Sequence, residues 1–343
     1  MRKNKAMRAA GVLFIATMLT TCLTAGTLAK YTTGDSAGDN ARVAKFGVQI
    51  VANGSLFGDS YKAADANTPV FKASGDGITV DAFDDTNVVA PGTKNENGLG
   101  FAVTGKPEVD VKLDLEIKTE NVFLAKGEYG VMVAKPANAV TADNFANLKA
   151  EVLYTEEGGV YTVVGENTAF DKNATYYVLK NKATVPDGGY YPVVYTLTGN
   201  DATSTENTDT TADSAKAVAE KIAKQFDADA AATVDNENAG KYTLTTSKIV
   251  KANTDLALDA LNLDNEKITW AWEYEKKTTD AETSETVVDE NVDNMDTILG
   301  DLADDTVKAN VVKLGNTITA PTAGKDYNLK TGIEFTINAT QVD

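Results

Sequence analysis

In the stretch VDVKLDLEIK, Val109, Val111, Leu113, Leu115 and Ile117 alternate with Asp110, Lys112, Asp114, Glu116 and Lys118. An apolar residue at every second position marks a strand with one face buried and the other in water. The same period runs through Arg42–Val51, where Ala44, Phe46, Val48 and Ile50 oppose Lys45, Gly47 and Gln49. It returns in KITWAWEYE, where Ile268, Trp270, Trp272 and Tyr274 share a face, and in GIEFTINATQ, where Ile333, Phe335, Ile337 and Ala339 do. Further strand patterns lie at GEYGVMVAK, AEVLYTE, VYTVVG, ATYYVLK, YYPVVYTLTG and NVVKLGN. Many short strands separated by turn residues predict a mainly β chain folded as a two-sheet sandwich. Phe46, Val48, Ile50, Trp270, Trp272, Phe335 and Ile337 are its expected core residues. Two tryptophans two apart read first as core, and second as a sugar-stacking platform.

Two segments break the pattern. GNDATSTENTDTTAD, residues 199–213, has no apolar residue beyond alanine and reads as a loop. In SAKAVAEKIAKQF, Ala215, Val218, Ala219, Ile222, Ala223 and Phe226 recur at helical spacing, with Asp213 or Ser214 as cap and Lys221 and Lys224 toward the C-terminal end. This predicts an amphipathic helix lying on the β body, within a loop-helix insertion at about 199–240. Met295, Ile298, Leu299 and Leu302 predict a second short helix over Asn294–Leu302.

The N-terminus has a different character. Arg2, Lys3, Lys5 and Arg8 precede a mostly apolar run from Gly11 to Leu23, shorter than the roughly 20 residues a bilayer span needs. Small residues follow, ending in Thr27-Leu28-Ala29. Basic start, short apolar centre and small residues before the junction predict a signal peptide over residues 1–29, cut between Ala29 and Lys30. An uncleaved anchor, or acylation of Cys22, are the other readings. Thr21 fits the lipoprotein pattern poorly.

Cleavage there removes four of the 32 basic residues and none of the 50 acidic ones, leaving 28 against 50 and a formal charge of −22. That charge opposes nucleic acid and anionic lipid, both of which need basic patches. Cys22 is the only cysteine, so the mature chain has no disulfide. Histidine is absent throughout, which removes Ser-His-Asp and Cys-His mechanisms and zinc sites built on N or S ligands. The acidic stretches 81–86, 227–240 and 293–305 offer oxygens to Ca²⁺, but none has the spacing of a calcium loop, and all read as surface acid. No cofactor, metal or catalytic residue is expected.

The stretch AGTLAKYTTGDSAGDNARVAKFGVQI resembles the processing region of the TasA/camelysin family, with Gly26-Thr27-Leu28-Ala29 at the junction and Tyr31 as the aromatic after it. APGTKNENGLGFAVTGKPEVDVKLDLEI, AEKIAKQFD and IEFTINATQVD are similar to further parts of that family, while residues 52–80, 130–200 and 275–290 carry none of the likeness. The resemblance implies a jelly-roll β-sandwich with inserted helices and loops over residues 41–343. It implies processing by a SipW-type signal peptidase and secretion to the extracellular matrix or cell surface. There, copies of the chain would polymerise head to tail into biofilm fibres by donor-strand exchange. The donor would be residues 30–40, beginning Lys30, Tyr31, Thr32, Thr33 and Gly34. Only Tyr31 and Ala37 are apolar there, so its hold would rest on main-chain bonds. Membrane contact would end with signal cleavage. The protease activity associated with camelysin does not carry over, because a chain without histidine offers a metal only carboxylates. The alternative is a monomeric cell-surface adhesin or glycan-binding protein using Trp270, Trp272, Tyr190 and Tyr191.

Overall fold

The computed structural model describes residues 46–54, 56–57, 71–74, 77–80, 89–136, 139–149, 152–198, 209–226, 233–234, 240–257, 267–274, 276–279, 286–315 and 317–342. The expected signal peptide, residues 1–29, and the expected donor segment, residues 30–40, lie outside them.

The described chain is mainly β. In order come β1 (Val48–Gly54), β2 (Lys94–Gly105), β3 (Val111–Glu120) and β4 (Gly127–Lys135). After the short helix α1 (Phe145–Lys149) follow β5 (Tyr154–Glu157), β6 (Val160–Val163), β7 (Tyr176–Val185) and β8 (Val193–Thr198). Helix α2 (Ser214–Phe226) leads to β9 (Lys241–Val250) and β10 (Lys267–Trp272). Helix α3 (Glu290–Ala303) precedes β11 (Val311–Lys313), β12 (Ile318–Thr319) and β13 (Gly332–Gln341). Shorter hairpins and two-residue strands complete it.

The first sheet runs β1-β2-β10-β8 and the second runs β9-β3-β13, with Thr233–Val234 beyond β9. Both are antiparallel. Strand β3 is the spine of the second sheet. It pairs all ten of its residues with β9 on one side and with β13 on the other, without a register shift. The alternation of VDVKLDLEIK explains this, because a one-residue slip would turn Val111, Leu113, Leu115 and Ile117 out of the core. All four are at most 2% exposed. They share one apolar core with Phe101, Val103, Tyr195, Ile268 and Trp270 of the first sheet, and Phe101 meets Phe335 across it at 4.9 Å between ring centroids.

A third unit is absent from the two-sheet expectation. Strands β7-β4-β11-β12-β6-β5 close into a small barrel, with its own cluster of Met132, Tyr154, Tyr161, Val312 and Ile318. The curl is sharpened in β7, where the pairing with β4 shifts between Lys180 and Ala183 and Asn181 takes a positive φ of 50°. Alternation alone marks strands and carries no record of which ones close on each other.

Helix α2 lies where its pattern placed it, its apolar stripe buried against β8, β9 and β3. Helix α3 is longer than its pattern implied. It starts at Glu290 because Asp289 caps it, accepting from the N–H groups of Asn291 and Val292. Strand β10 ends at Trp272, so Tyr274, expected on the same face, is 45% exposed.

Candidate functional site at the strand edges

A sheet edge presents a row of unpaired backbone groups that another strand can take up. The two sheets have four edges, and they are treated differently.

On one side, β8 is sealed by side chains and β9 is covered in part. Val193 O accepts from Asn121 Nδ2 at 3.1 Å and Ser214 Oγ at 3.3 Å, and Tyr195 N–H donates to Ser214 Oγ at 2.8 Å. Ser214 begins α2, and Asp213 Oδ1 accepts from the N–H groups of Ala215 and Lys216 and from Asn121 Nδ2. The helix then covers the opening between the sheets with Ala215, Ala219, Ile222 and Ala223, each at most 2% exposed. Thr233–Val234 pairs with the far edge of β9.

On the other side, β1 and β13 end their sheets. A Cβ at Gly332 would meet the ring of Phe57, which follows β1, at 4.0 Å, so the two edges approach each other there. Val342 N–H bonds Asp110 O at 2.9 Å and sets the alternation along β13. Ile333, Phe335, Ile337, Ala339 and Gln341 therefore aim their N–H and C=O groups away from β3. Among the described residues no strand lies on that side of β13 or on the outer side of β1. Edges are commonly guarded by lysine, proline or a bulge. Strand β13 has none of these and one charge, Glu334, while VQIVANG in β1 has no charge at all.

The outer face of the second sheet adds little repulsion. Lys112 and Asp114 pair at 2.7 Å along β3, as do Lys118 and Glu116. With Glu334 beside Lys118 and Glu120 paired to Lys241 at 2.6 Å, that face sets four acids against three bases in a chain of net charge −18.

No known protein family, curated protein or solved structure matches this chain.

Of the residues singled out in the sequence, Ala29, Lys30, Tyr31, Thr32, Thr33 and Gly34 lie outside the described residues. Phe46, Val48 and Ile50 are half-buried and pack on the core beside the open edge. Phe335 is half-buried against Phe101, and Ile337 is buried. Trp270 and Trp272 are core residues, 2% and 7% exposed, with indole N–H groups donated to Leu56 O at 2.8 Å and Asp296 Oδ1 at 3.1 Å. Tyr190 and Tyr191 are buried too. None of these four aromatics presents a face on which a sugar could stack. Among the described residues no three acidic, histidine or cysteine side chains converge as metal ligands. No helix among them is long and apolar enough to cross a membrane.

Asp296 lies in the stretch 293–305 that the sequence reads as surface acid, and the structure corrects that reading, since packing of α3 against Tyr190 and Trp272 takes its carboxyl out of solvent. Burial raises its carboxyl to about 7, with Asp293 adding to the shift and the hydrogen bonds from Tyr190 and Trp272 opposing it. Its signal is visible in hindsight: in α3 the apolar stripe Val292, Met295, Leu299 includes an acid at the position where the helical period calls for a fourth apolar residue.

Proposed function

We propose that this chain is a secreted structural subunit that polymerises into extracellular fibres by accepting a strand from a neighbouring copy. The observation that carries the reading is the contrast between the two sides of the sheets. One side is covered by side chains, a helix and a short strand, while among the described residues the other leaves β1 and β13 with long, regular and nearly uncharged edges. A monomer gains nothing from unguarded edges, which invite association. A fibre subunit uses them, because main-chain bonds to an added strand need little from its side chains. That suits a donor as polar as residues 30–40.

The jelly-roll arrangement, the SipW-type peptidase and the biofilm setting belong to this same reading and rest on the resemblance. The chain acts in it as a homopolymer with no catalytic role. An open head-to-tail contact gives a filament, whereas a rotation that closed would give a ring. The monomeric adhesin reading loses its support with the burial of Trp270, Trp272, Tyr190 and Tyr191.

The test compares the mature chain beginning at Lys30 with one beginning at Ala41, by sedimentation and negative-stain microscopy. Filaments that depend on residues 30–40 are expected. Identical filaments from both chains, or monomers from both, would sink strand donation by this segment.

A further inference from the structure

Asn121, Asp213, Tyr195 and Thr331 come from four separate parts of the chain and meet at the sealed side of the sheets. Asn121 is 0% exposed. Its Nδ2 donates to Asp213 Oδ1 at 3.2 Å and to Val193 O at 3.1 Å, and its Oδ1 accepts from the Thr331 hydroxyl at 3.2 Å. The Thr331 hydroxyl is held in turn by the Tyr195 phenol at 2.7 Å. The second Asp213 oxygen, Oδ2, is buried with no hydrogen-bond partner. A carboxylate leaves such an oxygen at a high cost, whereas a carboxylic acid carries its proton there.

We propose that Thr331 and Asn121 join in an intramolecular ester, formed without cofactor inside the folded chain. The pieces have the chemistry for it: a hydroxyl held against an amide carbonyl and an acid held against the amide nitrogen. Thr331 Oγ1 attacks Asn121 Cγ, the Oγ1–Cγ bond forms, and the hydroxyl proton passes to Oδ1. Asp213 then turns its protonated oxygen to Nδ2 and gives up the proton, the Cγ–Nδ2 bond breaks, and ammonia leaves. The proton on Oδ1 returns to Asp213, which ends as it began. One hydroxyl and one primary amide become one ester and one ammonia, with no change of oxidation state.

Three features favour the step. Fixing both groups in the fold replaces a slow encounter with a unimolecular reaction, for which effective molarities are very large. Burial raises the Asp213 carboxyl above its ordinary range, although the N–H groups of Lys216 and Ala215, the Asn121 amide and the Lys216 charge all oppose the shift. The same burial shields the product from hydrolysis. The bond would tie the residue preceding β13 to the one following β3, and so anchor an edge strand on which assembly would pull. The proposal stands whether or not the chain forms fibres.

The test is peptide mapping of the purified full chain, unfolded before digestion. A tryptic species joining TENVFLAK, which contains Asn121, to TGIEFTINATQVD, which contains Thr331, and lighter than their sum by one ammonia, is expected. It should fall apart in hydroxylamine and be missing from Thr331→Val. Succinimide at Asn53–Gly54 or Asn97–Gly98 sheds the same mass but joins no peptides. Recovery of both peptides separate and unmodified from the wild-type chain would overturn the proposal. Because that reading comes from the wild type, it does not depend on whether Thr331→Val folds.

Discussion

Tyr190 donates its phenolic hydrogen to Asp296 Oδ1 at 2.8 Å, and the Trp272 indole N–H reaches the same oxygen at 3.1 Å. Neither donor carries a charge. The nearby ionisable groups, Asp293 and Glu273, are acids. A carboxyl group in this setting is held protonated well above its usual range. It also sits at a joint, because α3 lies along β7 of the barrel while Trp272 belongs to the first sheet.

This joint should make stability depend on pH. The folded state holds the Asp296 proton up to about 7, while an unfolded aspartate releases it near 3.8. Between these values the folded state binds more protons, so stability rises as pH falls from about 7 toward about 4 and is lost as pH climbs back through that window. Asp296→Asn should be more stable than wild type above about pH 7, by on the order of 1 kcal/mol or more, and should flatten the slope. Asp213 is shifted the same way by burial and leaves a residual slope of the same sign. Thermal melts of both chains across that range check this, and equal slopes would refute it.

The open edge can be blocked without touching the ladder. Ala339 directs its N–H away from β3, where no described strand lies, so Ala339→Pro removes a donor available to an incoming strand. We expect normal monomer melting and a loss of filaments in microscopy. Filaments of undiminished length and number would place the contact elsewhere.

The sealed edge should respond in the opposite sense. Ser214→Ala strips Tyr195 N–H of its acceptor and removes one of the two donors to Val193 O. An orphaned buried N–H costs about 1–3 kcal/mol. Denaturant unfolding should show a loss of that order, against a near-neutral result if the residue served only to start α2.

The proposed maturation is tested at the N-terminus of the chain recovered from the culture medium. Edman sequencing or mass spectrometry should find Lys30 first and no lipid. An acylated Cys22, or an intact residue 1, would replace the proposed processing with anchoring.

Screening should govern assembly. With the formal charge of −22 that the proposed cleavage would leave on each copy, filament growth is expected to quicken with salt or divalent cations, since exposed charges separated by more than about 10 Å are screened near 0.1 M. Light scattering across a salt series measures this, and growth that slows with salt would contradict it.

Much of the local structure was legible in the chain. The strict alternation of residues 109–118 specified β3 and its buried face, because a strand's side chains repeat every two residues whatever surrounds them. The apolar stripe of residues 215–226 specified α2 and the side it would bury for the equivalent reason at helical period. The reading of Trp270 and Trp272 as core follows from their place in such a strand. Local periodicity is a property of neighbouring residues, and neighbours are what a sequence records.

Which strand lies beside which was settled only in three dimensions. Strand β13 pairs with β3 across more than 200 residues of chain, and that pairing makes it an edge. Closure of the barrel, the seal over β8 and the meeting of Asn121, Asp213 and Thr331 all join residues far apart in the chain. Asp296 shows the division most plainly. Its place in an apolar stripe is written in the helix, but the loss of solvent that raises its proton affinity, and the two neutral donors that meet it, come from the packing of α3 against Trp272 and Tyr190. Periodicity is local, whereas burial and pairing are sums over contacts that only the folded chain brings together.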